Sequence, residues 1–135
     1  MILVVEDEPM QRDDLQWACE GEGRNIWAAG TAEEARRLIG ENEFDVVVTD
    51  LRMKTEEASL DVLRAAKEKD IYTQVIMVTA YGTPEVSVST MKLGAFDYIE
   101  RNTPGVEFLA TVQSMVSLAL ELRRQLLQSG RKPDA

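Results

Sequence analysis

The sequence predicts an α/β fold, a parallel sheet of five strands covered by helices on both faces. Two observations carry this. Short apolar runs alternate with helical patterns five times along the chain, the order that builds βαβ units. The central runs, "VVV" at 46–48 and "VIMV" at 75–78, have no polar alternate, as strands buried on both faces require. A length of 135 residues with 44% hydrophobic and 29% charged residues fits one domain with a true core.

Each element has its own signal. "ILVV" at 2–5 is a strand, and Pro9 sits where a first helical turn accepts it, opening a helix that ends at the glycines of "CEGEG". "NIWAAG" is a weaker second strand. Thr31 and Glu34 form a capping box for "TAEEARRLIGE". "FDVVVTD" is the third strand, "SLDVLRAAKEKD" the third helix and "TQVIMVTAYG" the fourth strand. Thr83 caps and Pro84 starts a helix that stops at Gly94; "AFDYIE" is the fifth strand. "TPGVEFLATVQSMVSLALELRRQLLQSG" is a long final helix, and the polar tail "SGRKPDA" is expected to fray.

Composition narrows the function. The net charge of −9 argues against direct nucleic-acid binding by this chain, because phosphate contacts need a basic face. The chain has no histidine, which removes phosphohistidine, histidine general bases and histidine-bound zinc. The lone Cys19 makes no internal disulfide and reads as a small buried side chain. No apolar run of about 18 residues suggests a membrane span, and "MILVVEDEP" lacks the features of a signal peptide. These features point to the cytoplasm.

In such a sheet, ligand sites lie at the carboxyl ends of the strands. Glu6 and Asp7 follow strand one, Asp50 ends strand three, Thr79 ends strand four, and Glu100 and Arg101 follow strand five. Three acids near one edge repel one another and raise each other's pKa. A divalent cation that prefers oxygen relieves this, and Mg²⁺ fits. A carboxylate beside Mg²⁺ is able to attack a phosphoryl group; Thr79 and Arg101 would hold its other oxygens. Taken singly, each acid also suits a turn or a helix cap, Thr79 suits a strand, Tyr98 suits packing on the sheet edge, and Arg101 suits the surface. Trp17 and Trp27 read as core or half-buried packing, and Met77, Met91 and Met115 as core.

At these residues the chain resembles the receiver domain of two-component response regulators, over roughly residues 1–122. "ILVVEDEP" resembles the acidic-pair opening, "VVVTDLRM" the phosphoacceptor strand, "VIMVTAYG" the switch-threonine strand and "MKLGAFDYIE" the end of the sheet. "VTAYGTPEVSVSTMKLGAFDYIERN" is similar to the NtrC-type subgroup. The resemblance implies a flavodoxin-like (CheY-like) three-layer sandwich with strand order 2-1-3-4-5. It implies Asp50 as phosphoacceptor, and Mg²⁺ bound by Glu6, Asp7, Asp50 and the backbone carbonyl of Arg52. Thr79 becomes the switch hydroxyl and Tyr98 the switch aromatic. A sensor histidine kinase is the implied donor, and control of transcription through an output domain the implied result.

Four departures surround this site. Arg101 replaces the family lysine, a planar fork in place of a point charge. Asn102 replaces the following proline, whose preceding bond is usually cis in the family. A cis bond before a non-proline costs about 2.5–4 kcal/mol, so a trans Arg101–Asn102 bond is expected, with Pro104 as helix starter. Lys54 replaces a proline, and Ser59 stands where a glycine is usual, after an acidic "KTEEAS" loop of unusual shape or mobility. The second reading is therefore a pseudo-receiver that never uses Asp50. A Mg²⁺-dependent aspartate-nucleophile phosphatase is weaker, because its usual second acid falls at Arg52.

On the last helix, Val112, Met115, Ala119, Leu122 and Leu126 form one apolar stripe, and Leu109, Val116, Leu120 and Leu127 a second. One stripe covers the sheet; the other needs another surface. "LELRRQLLQSG" resembles the linker that helps NtrC-type receivers dimerise. The expectation is a receiver at 1–122, a linker-like helix end and flexible tail at 123–135, and a homodimer through the last helix.

Overall fold

The computed structural model describes residues 1–51, 55–80, 84–101 and 105–129. The Arg52 carbonyl, Lys54, the Thr83 cap, the Arg101–Asn102 bond, Pro104 and the tail lie outside the described residues. The elements run β1 (Ile2–Val5), α1 (Pro9–Cys19), β2 (Ile26–Ala29), α2 (Ala32–Glu41), β3 (Val46–Asp50), α3 (Glu56–Lys69), β4 (Gln74–Thr79), α4 (Pro84–Lys92), β5 (Asp97–Glu100) and α5 (Gly105–Ser129). All strand pairs are parallel, as the apolar runs predict, in the order β2-β1-β3-β4-β5 that the resemblance implies.

Strand alternation divides the core in two. Leu3, Val5, Val47, Val75 and Met77 face α2 and α3, joined by Val86 of α4 and by Leu93 just after it. Ile2, Val4, Val46, Val48, Ile76 and Val78 face α1 and α5, together with Leu15, Phe108, Val112 and Val116. A strand buried on both sides has no polar face to display, which is why β1, β3 and β4 read as unbroken apolar runs. Gly94 ends the α4 turn with φ +98°, a left-handed conformation that glycine adopts without a Cβ clash.

Several expectations need correction. The third helix starts before Ser59: Thr55 Oγ1 accepts from the Ala58 amide at 3.0 Å, and α3 begins at Glu56. Part of the acidic "KTEEAS" loop is therefore a helix start, where a threonine cap satisfies an otherwise orphaned N–H. Trp17 is 58% exposed and Met91 45% exposed, because each lies on the outer side of its helix. Trp27 and Phe44 do pack, edge to face at 6.1 Å.

The stripes of α5 are also drawn differently. Its buried residues are Phe108, Val112, Val116, Ala119 and Arg123, so Val116 shares the sheet-facing stripe while Leu122 and Leu126 flank it. Arg123 is only 4% exposed. It binds Asp45 at 2.6 Å, Asp70 at 2.9 Å and Glu43 at 3.4 Å, tying α5 to the start of β3 and the end of α3. By length and composition alone, α5 passes for a membrane span, with mean hydropathy 1.3; its packed side covers the sheet.

Candidate functional site

Parallel register decides what meets at the carboxyl edge. Val5 lies beside Thr49, Asp50 beside Val78, and Thr79 beside Glu100. Where β1 gives way to α1, Glu6 and Asp7 therefore emerge next to Asp50. Glu8 is taken up as the α1 cap, its carboxylate accepting from the Met10 and Gln11 amides at 3.1 and 2.8 Å. Arg12 secures the same turn by donating to the Glu6 carbonyl at 3.0 Å.

These elements enclose a cleft of about 230 Å³, lined in part by Glu6, Asp7, Asp50, Thr79 and Arg101. One carboxylate oxygen from each of Glu6, Asp7 and Asp50 lies within 4.8 Å of the others. Glu6 is buried, Asp50 half-buried and Asp7 exposed. Burial, and then the facing Asp50 carboxyl, push Glu6 from its ordinary 4.5 up to about 8. Its Oε2 is buried with no hydrogen-bond donor among the described residues. A donorless buried oxygen beside two more carboxylates suits a hard divalent cation, which accepts several oxygen ligands at once. The residues present therefore fit Mg²⁺.

The remaining candidates divide. Thr79 is buried at the end of β4, and its carbonyl accepts from the Arg101 amide at 2.6 Å. Arg101 reaches the cleft, and its guanidinium lies over the Phe108 ring, 4.4 Å from the centroid. Tyr98 is half-buried against the α2–α3 side of the core and does not line the cleft.

Two residues of this region were not predicted to contribute. Ser59 is fully buried and donates from its hydroxyl to the Asp50 carbonyl at 2.7 Å. Phe108 lies under the Arg101 guanidinium. The sequence signal for Phe108 was its spacing, one turn before Val112 on the buried stripe; Ser59 carried no signal beyond standing at a position where glycine is usual.

A match to the response regulator receiver domain family spans residues 2–113. The chain belongs to this family. Among related receivers, PilR of Pseudomonas aeruginosa, a response regulator protein, is 31% identical over 121 residues, 90% of this chain and 26% of PilR. This receiver domain thus spans about a quarter of that relative's length. The receiver domain of NtrX from Brucella abortus superposes with TM-score 0.73 at 27% identity, covering 90% of this chain and 98% of that one. The NtrC4 receiver domain, solved as a beryllofluoride-activated dimer, superposes with TM-score 0.70 at 28% identity, covering 87% and 97%.

Proposed function

We propose that this receiver domain takes a phosphoryl group from a sensor histidine kinase onto Asp50. The convergence of Asp50 with Glu6, Asp7, Thr79 and Arg101 in one cleft carries the reading. An Asp50 carboxylate oxygen attacks phosphorus; the new P–O bond forms as the P–N bond to the kinase imidazole breaks, and that nitrogen keeps the electron pair. Mg²⁺ held by Glu6, Asp7, Asp50 and the Arg52 carbonyl would offset negative charge on the transferring group. The Thr79 hydroxyl donates to one phosphoryl oxygen and the Arg101 guanidinium to another.

Switching follows from differential contact. A phosphoryl group that bonds Thr79 in only one arrangement favours that arrangement, and Tyr98 and the α4–β5–α5 face then change with it. Exposed Val88, Met91, Leu118 and Leu127 on α4 and α5 offer the apolar surface for a homodimer. The dimeric NtrC4 relative supports that reading. In this reading the receiver covers 1–122 and residues 123–135 are its linker-like end, whose first residue, Arg123, still ties α5 to the domain; the whole acts in the cytoplasm. A net charge of −9 leaves DNA contact to a separate output domain, through which the receiver controls transcription.

The test is intact mass after incubation with Mg²⁺ and acetyl phosphate, with Asp50→Asn alongside. Gain of one phosphate, absent from the variant, supports the reading. No gain in the folded wild-type chain assigns the domain to the pseudo-receivers instead.

A further inference from the structure

A guanidinium is a wide planar group, and its plane must be fixed before it serves in place of a compact ammonium. Arg101 has such a fixture. Its amide is held by the Thr79 carbonyl at 2.6 Å, and its guanidinium carbon lies 4.4 Å from the Phe108 centroid. Phe108 is 2% exposed in the first turn of α5, packed in the core shared by α1 and α5, so the ring is a rigid support. Among the described residues, Arg101 makes no ion pair. A guanidinium carries five N–H donors in a fixed fork, and contact with one ring leaves donors over for a second partner. Arg101 meanwhile lines the same cleft as Asp50 and Thr79.

We propose that Phe108 is a positioning residue of the phosphoryl cleft: its ring seats the Arg101 guanidinium so that the N–H edge meets the phosphoryl group. The proposal rests on Asp50 being the phosphoacceptor. It accounts for how arginine serves where the resemblance implies lysine, and it links the cleft to α5 through one contact.

The experiment is a double-mutant cycle on the folded chain, using Phe108→Leu, Arg101→Lys and the pair, with acetyl phosphate and Mg²⁺ as donor. Phe108→Leu is expected to slow phosphate uptake about three- to tenfold, the range of a lost cation–π contact. In the Arg101→Lys background the same change should matter less than about twofold, because the ammonium has no plane to seat. Equal slowing in both backgrounds would reduce Phe108 to packing and overturn the proposal. A second readout needs no phosphate: the Arg101 Nε–H resonance should lie upfield from the ring current and return to the ordinary position in Phe108→Leu. An ordinary resonance in the wild type would overturn the seat itself. Lack of uptake by the wild type would overturn the phosphoacceptor reading, whereas equal uptake by wild type and Phe108→Leu would overturn only the role of Phe108.

Discussion

Ser59 holds Asp50 by its backbone: the α3 hydroxyl donates to the Asp50 carbonyl at 2.7 Å. Thr49 Oγ1 lies 3.3 Å from the same oxygen. The end of β3 is thus clamped by side chains just where its last residue turns into the cleft. Ser59→Ala should cost about 1 kcal/mol, the usual worth of one hydrogen bond, measured by urea unfolding. It should also slow phosphorylation of Asp50 several-fold, since small displacements of a nucleophile are costly. Unchanged kinetics with reduced stability would confine Ser59 to a structural role.

Glu6 gives the site a pH signature. Its carboxyl is raised to about 8, so the folded state favours its protonated form. The stability this provides is complete below the ordinary carboxyl range and is lost as pH rises through about 8. Metal-free protein should therefore melt lower at about pH 8.5 than at about pH 6. Mg²⁺ must displace the Glu6 proton, so it should raise the melting temperature strongly at the higher pH and weakly at the lower. Glu6→Gln should flatten both slopes. Equal Mg²⁺ stabilisation at the two pH values would count against Glu6 as a ligand.

Arg123 should be the costliest polar residue to remove. Burial alone would raise Asp45 and Asp70, but hydrogen bonds outweigh it and hold both carboxyls below their ordinary values. The Met1 ammonium and Arg123 do this for Asp45, the Tyr72 amide and Arg123 for Asp70. Arg123→Met should cost about 2–3 kcal/mol, less than a fully buried pair, because Asp45 and Glu43 keep contact with water. The stability these acids add is present above their unfolded values and is lost as pH falls through the folded ones. The variant should accordingly show a shallower loss of stability in acid.

The dimer reading has a direct check on α5. Leu118 is exposed, so Leu118→Glu should leave the melting temperature unchanged. If α5 is the dimer surface, the substitution should weaken self-association about tenfold or more, measured by sedimentation with Mg²⁺ and beryllofluoride. Association as strong as in the wild type would place the interface elsewhere.

How much was legible followed from how many residues shared a signal. The parallel sheet rested on long two-sided apolar runs and the strand order on the receiver resemblance, and both held. The acids met because register carried every strand end to one edge. Single polar residues doing buried work were harder. Arg123 continues the spacing of Val112, Val116 and Ala119, but a cation in an apolar stripe reads as surface until its acids are seen. Thr55 and the acids after it read as loop because the cap, an i to i+3 bond, depends on chain direction rather than hydropathy. Trp17 was assigned inside by residue type, although its helix turns it outward.

The two edges of the sheet face the same electrostatic problem and answer it differently. At the amino edge, Glu43, Asp45 and Asp70 crowd around Arg123; at the carboxyl edge, Glu6, Asp7 and Asp50 crowd around a space of their own. The first cluster carries its counterion in the gene, permanently and in fixed stoichiometry. On the Mg²⁺ reading the second would draw one from the medium, beside the Arg101 that lines the same cleft, and what is drawn is exchangeable. A chelator would then act only on the second pole, leaving the first to hold the fold.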